Sequence, residues 1–170
     1  MPELAFHTYA KKILRAASRV NTGATDAQRE ALNYRHGKAN IHGLEIMIEY
    51  PKGSIRRGTN KEGKKWERVM QSHYGRLRRT VGLDGENVDV FIGEHPESQL
   101  VYVIDQLDDE GNLDEHKVVI GTRNVAEARK VYLDNYPKDW KDKYLGQMRG
   151  MTMQQFKEWL KSNSPVKNKK

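Results

Sequence analysis

The sequence predicts an α+β protein with a mainly β core, a small antiparallel barrel set between helical ends. Three observations carry that expectation. The middle of the chain holds short runs of alternating or β-branched residues, each closed by turn chemistry. Both ends repeat apolar residues every three or four positions, the period of a helix. The 170 residues suit one domain with room for a helical appendage.

Taken in order, the segment Leu4 to Val20 places Phe6, Tyr9, Ala10, Ile13, Leu14 and Ala17 on one stripe, which predicts an amphipathic helix. Asn21-Thr-Gly23 ends it, and Thr25 or Asp26 can cap a second, short helix running to about Leu32. Gly37 and Gly43 punctuate the entry to a strand. There Leu44, Ile46, Ile48 and Tyr50 alternate with Glu45, Met47 and Glu49, so one face is apolar and the other bears two carboxylates. Pro51 and Gly53 close it.

Val88 to Ile92 and Leu100 to Ile104 read as strands flanking a loop of Gly93, His95, Pro96 and Ser98. Asp108 to Asn112 is a turn, and Lys117 to Ile120 returns as a further strand. Successive hairpins favour a barrel over a parallel sheet. The C-terminal third then reads as helical. Asn124-Val-Ala-Glu127 opens one helix with a capping-box pattern, with Val131 and Leu133 as its packing residues. Thr152-Met-Gln-Gln155 opens another, with Met153, Phe156, Trp159 and Leu160 on one stripe. The organisation expected is a helical extension over 1–40, a main domain over 41–163 and a disordered basic tail over 164–170.

Thirty Lys and Arg against 23 Asp and Glu give a formal charge of +7, which invites a nucleic-acid partner bound through a basic surface. The charge is blocked, however. Basic residues crowd Lys52 to Lys65, Arg76 to Arg79 and the tail, while acids crowd Asp84 to Asp89 and Asp105 to Glu115. Alternating blocks fit a site that holds metal cations and phosphate together at least as well as a nucleic-acid face. The absence of cysteine excludes disulfides, thiolate metal sites and a Cys nucleophile. No apolar run reaches the roughly 20 residues of a membrane span, and no signal-peptide core opens the chain, so the expectation is a soluble, cytoplasmic protein without a membrane partner.

The chemistry concentrates in Asp84-Gly-Glu-Asn-Val-Asp89. Three carboxylates within six residues repel one another unless cations offset them. An EF-hand does not fit, because the acids do not continue to a Glu at the twelfth loop position. His73, His95 and His116 have no zinc spacing. Oxygen-only donors point to a hard cation, Mg²⁺ before Zn²⁺. With Lys and Arg opposite, such a site suits phosphoryl transfer to water.

At this point the residues resemble a family. Ile48-Glu-Tyr-Pro-Lys-Gly-Ser54 is similar to the Ile-Glu-Ile-Pro-Lys-Gly-Ser strand of family I soluble inorganic pyrophosphatases. Arg57-Gly-Thr59 with Lys61-Glu-Gly63 resembles the hairpin that follows it there. His73-Tyr-Gly75 resembles the family's Asn-Tyr-Gly, Asp84 to Val90 its Asp-Gly-Asp-Pro-x-Asp-Val, Asp108 to Lys117 its Asp-x-x-Gly-x-Asp-x-Lys, and Tyr136-Pro-Lys138 its terminal Tyr-Lys pair. The ordered set, over about 48–138, makes the match specific.

The resemblance implies an OB-like five-stranded barrel with C-terminal helices, and Mg²⁺-dependent hydrolysis of pyrophosphate or a related small phosphoanhydride. It implies that Asp84 and Asp89 ligate metal, joined by Asp108 and by Glu115 or Asp114, with Glu49 facing the same cavity. Glu86 falls at the general base. Arg57, Arg68, Tyr74, Lys117, Tyr136 and Lys138 would hold the phosphates. Three departures stand out: Glu for Asp at 86, Asn for Pro at 87, which would loosen the turn, and Arg for Lys at 57. The upstream stretch from Thr25 to Leu44 resembles pyrophosphatase-like domains of phage and prophage proteins. That likeness carries the alternative: a catalytically weak accessory protein, acting in a host cytoplasm, that binds nucleotide or nucleic acid. The N-terminal helices could pack on their own barrel or on a second copy in a homo-oligomer.

Overall fold

In the computed structural model, residues 2–162 are described, the side chains of residues 2–7 excepted, so the basic tail expected over 164–170 lies outside the described residues. Two helices lead, α1 (Pro2–Ser18) and α2 (Asp26–Glu30). Eight strands follow: β1 (Gly37–Ile41), β2 (Leu44–Tyr50), β3 (Ile55–Thr59), β4 (Lys65–Val69), β5 (His73–Leu77), β6 (Val88–Ile92), β7 (Leu100–Leu107) and β8 (Leu113–Ile120). The chain continues through α3 (Val125–Leu133), α4 (Trp140–Lys143), β9 (Leu145–Thr152) and α5 (Met153–Ser162). No helix among the described residues is long and apolar enough to cross a membrane.

The caps follow the sequence closely. Thr25 and Gln28 form a reciprocal capping box, and Thr152 with Gln155 forms another at α5. Asn124 accepts from the Glu127 N–H, but the Glu127 carboxylate turns to Arg123 instead, so that box is half made.

The mixed α+β class holds; the five-stranded barrel is corrected. Seven strands form one sheet that is not closed, in the order β1-β2-β5-β6-β8-β7-β9, and β3 pairs only with β4 in a separate ribbon. Nor is the pairing wholly antiparallel, because β6 runs parallel to β8, with Asp89 opposite Lys117. The reason is a crossing. The loop after β6 carries the chain beyond β8, so β7 pairs with β8 and β9 rather than with β6. β1 and β9 then extend the two edges.

β9 falls where the sequence reads as helical. Its Leu-Gly-Gln-Met-Arg-Gly-Met-Thr run has almost no β-branched residue to announce a strand. The glycines are what the pairing needs: a Cβ at Gly146 would lie 2.7 Å from the Asp105 carbonyl oxygen, and one at Gly150 2.9 Å from the Tyr102 ring.

Apolar side chains lie on both faces of the central strands. Val88, Val90 and Ile92 join Val118 and Ile120 in a core covered by α1 and α5, through Ile13, Ala16, Met153 and Phe156. Helix α1 comes so near β1 that a Cβ on Gly37 would overlap the Ala16 carbonyl. On the other face Tyr74, Phe91, Val119 and Ile104 pack with Ala128 and Tyr132 of α3. Two-sided burial explains why β6 and β8 read as nearly continuous apolar runs. The exceptions, Asp89 and Lys117, lie on this second face, and they mark the site.

Candidate functional site

Strand alternation places the first carboxylate. Leu44, Ile46 and Ile48 of β2 go into the first core, so Glu45, Met47 and Glu49 emerge on the opposite face. Arg76 of β5 pairs with Glu49 in a close ion pair whose side chains are only 19% and 13% exposed. Burial pushes the Glu49 carboxyl up, and Arg76 partly counters it.

Two strands beyond β5, on β8, Lys117 is almost fully buried and reaches three oxygens. Its Nζ lies 2.6 Å from Asp89 Oδ2, 2.5 Å from Glu115 Oε1 and 2.9 Å from the Tyr74 hydroxyl. Burial opposes the ammonium charge, but Tyr74, Asp89 and Glu115 more than offset it, and the pKa stands well above the ordinary lysine value. Two of its N–H groups donate, to Asp89 and to the Tyr74 hydroxyl, and Glu115 is held as an ion pair.

The β3–β4 ribbon closes the other side. Arg56 and Gly58 turn inward while Ile55, Arg57 and Thr59 are exposed. The Arg56 guanidinium lies 4.3 Å from the centre of the Tyr74 ring, and Tyr74 and Asp89 help keep it charged against burial. Arg68, its partner across the ribbon, sits 4.3 Å from the Trp66 ring and 4.7 Å from the Tyr136 ring. Arg57 instead pairs with the exposed Glu67 at 3.0 Å.

Between these elements lies a cavity of about 660 Å³. Its wall brings together Glu49, Arg57, Tyr74, Glu86 and Asp89 from the sequence-based set and adds Arg56, Trp66 and Arg76. The motif match put Arg57 rather than its neighbour Arg56 in the phosphate set. Alternation in β3 is the signal that finds Arg56, because it and Arg57 must face opposite ways.

The other expected residues stand differently. Asp84 is exposed and accepts the Glu86 N–H at 3.0 Å through one carboxylate oxygen. Asp108 caps the β7–β8 turn, accepting from the Glu110 and Asn112 N–H groups. Lys138 is exposed before α4. Tyr136 stacks on Trp140, ring centres 4.2 Å apart, within the second core cluster. Asn87 does not leave its turn loose. Its amide donates to the Thr80 carbonyl at 2.8 Å, while Thr80 Oγ1 accepts the Val88 N–H.

Among the described residues no three carboxylate or imidazole groups stand together as a ready metal cluster. The donor chemistry of the cavity nevertheless suits a hard cation. Glu49, Glu86 and Asp89 offer oxygen alone, and Asp84, outside the lining in the adjoining turn, keeps one oxygen without a hydrogen bond.

A family model described as Inorganic Pyrophosphatase matches residues 26–161. The chain belongs to the inorganic pyrophosphatase family. Among solved structures it is similar to an inorganic pyrophosphatase from Neisseria gonorrhoeae, at 18% identity and TM-score 0.38, covering 74% of this chain and 92% of that one. A second is an inorganic phosphatase from Anaplasma phagocytophilum, at 17% identity and TM-score 0.34, with coverage of 74% and 92%. A third, from Coxiella burnetii, has 18% identity and TM-score 0.35, with coverage of 72% and 92%. No curated protein matches. Pyrophosphate hydrolysis is the activity to which the family points.

Proposed function

We propose that this chain hydrolyses pyrophosphate or a related phosphoanhydride, with Mg²⁺ as cofactor, in the cavity between the β3–β4 ribbon and the face of β2, β5 and β6. The observation that carries the reading is the lining: Glu49, Glu86 and Asp89 share one wall with Arg56, Arg57 and Arg76. Acids and guanidinium groups together suit a cation and a polyanion better than either alone.

Asp84, Asp89 and Glu49 would hold the cation, with Asp108 and Glu115 as the further carboxylates of the set. When bound, Mg²⁺ would lower the pKa of water and neutralise phosphate charge. The protein's own groups do the remainder. Arg56 grips phosphate oxygens, and planar guanidinium can do so with two parallel N–H bonds, while Arg57, turned outward to Glu67, stands at the rim. Tyr74, Arg68, Tyr136 and Lys138 complete the phosphate set. Lys117, buried between them, holds Asp89 and Glu115 in place beside the phosphates.

Glu86 takes a proton from the attacking water. The water oxygen bonds to phosphorus, the bridging P–O bond breaks with its electron pair on the leaving phosphate, and the proton passes to products.

A phosphate-release assay with pyrophosphate and Mg²⁺ tests this. Release should be present in the native chain and fall at least 10²-fold in Asp89→Asn and Glu86→Gln. Native release no greater than that of Asp89→Asn would overturn the reading.

A further inference from the structure

The cavity is built for more than two phosphoryl groups. At about 660 Å³ it lies within the ~300–1,000 Å³ range of sites that enclose drug-sized molecules. Pyrophosphate is only two phosphoryl groups sharing an oxygen, and every part of it calls for cations and N–H donors. Yet the lining also includes Leu32 and Val81, which offer it nothing, and the ring faces of Tyr50 and Trp66, which exceed what it needs.

Two of these residues are held in unusual ways. Leu32 is 52% exposed, a large apolar side chain at the cavity, and its φ of 53° is the left-handed region that residues other than glycine rarely enter. Backbone of that kind collects at ligand sites, where the surrounding structure holds it. The Trp66 indole lies across Gly58, where even a Cβ would come within 2.3 Å of the ring. Arg68 at 4.3 Å and Arg56 at 5.5 Å flank the same indole. An aromatic ring so fixed costs little ordering entropy when it receives a planar group. The same wall thus carries an inward arginine for phosphate and an oriented ring beside it.

We propose that the ligand of this cavity is a nucleoside polyphosphate, its phosphates on Arg56 and Arg76 and its base against Trp66 and Leu32. Stacking on an indole accepts any base, because every base has a π-face. The inference rests on the phosphate site proposed above and names its substrate class. Hydrolysis keeps the same balance: the water oxygen bonds to the terminal phosphorus, the bridging P–O bond breaks with its electron pair on the shortened nucleotide, and the proton taken by Glu86 is released.

Two non-hydrolysable probes separate base from phosphate: adenosine β,γ-methylene triphosphate and methylene diphosphonate, titrated calorimetrically into the full chain with Mg²⁺. The nucleotide should bind at least tenfold more tightly than the bisphosphonate. That ratio should fall toward one in Trp66→Ala. Leu32→Ser, a change at an exposed side chain, should lower it severalfold and serves where Trp66→Ala does not fold. A ratio near one in the native chain, or a ratio kept by both variants, overturns the inference. If pyrophosphate is nevertheless hydrolysed, the proposed function stands and only the nucleotide class falls. No binding of either probe together with no phosphate release overturns both.

Discussion

Lys117 and Asp89 face each other across the parallel strands β8 and β6, and the lysine Nζ lies 2.6 Å from the aspartate Oδ2. The pair does what the sequence assigned to metal alone: it puts a positive charge among carboxylates. Lys117 is 3% exposed, and it also serves Glu115 and Tyr74.

Lys117→Met keeps the side-chain bulk and removes the charge. Asp89 and Glu115 are then left facing each other, though both retain some contact with water, so the cost sits near the lower end of buried-pair loss, about 3 kcal/mol. For a chain of this size that is roughly 6–12 °C in Tm. Thermal unfolding followed by circular dichroism checks it, and phosphate release should fall as well.

Arg56 and Arg57 separate the inward from the outward arginine. Arg56→Ala should raise the KM for pyrophosphate at least tenfold, because its half-buried guanidinium stands in the cavity wall beside Tyr74. Arg57, paired with Glu67 in solvent, should cost less than threefold when changed to Ala. Steady-state kinetics on the two variants decides the order. The reverse order would restore the assignment made from sequence.

Gly58 tests the ribbon. Its backbone is not left-handed, so the objection to a side chain is space alone: a Cβ would meet three atoms of the Trp66 indole inside 3.0 Å. Gly58→Ala should cost about 1–2 kcal/mol by overpacking and shift the tryptophan emission. Differential scanning calorimetry and fluorescence report the two effects.

His73 gives a pH dependence with a definite sign. Its Nδ1 accepts the Lys52 N–H at 2.9 Å, and burial, with Lys52 nearby, holds its pKa below the ordinary 6.5. The folded chain therefore prefers the neutral ring, while the unfolded chain takes up a proton near pH 6.5. The stability this provides is complete above about pH 7 and is lost as pH falls through 6.5 toward the depressed value. Tm measured from pH 8 to 5 should decline below 6.5, and His73→Gln should flatten part of that decline.

Much of the fold was legible where burial writes a period into the chain. The Ile13 side of α1, the alternation of β2 and the capping residues Thr25, Asn124 and Thr152 all name their elements locally. β9 was not legible, because Gly146 and Gly150 are required by β7 lying against them, a fact of pairing rather than of propensity. The same limit governed the site. Glu49, Tyr74, Glu86 and Asp89, named from motifs, line one cavity, whereas Asp108 lies in the β7–β8 turn, where one of its carboxylate oxygens accepts two backbone N–H groups.

The sequence by itself determined the mixed class, the family and the concentration of acids around Asp84 to Asp89. The tertiary structure alone decided that β6 lies parallel to β8, that the sheet stays open, and which cation meets which acid. Periodicity and motif spacing are local quantities, whereas the partners of Asp89, Glu49 and Arg56 come from residues 28, 27 and 18 positions away. Only folding sets those distances.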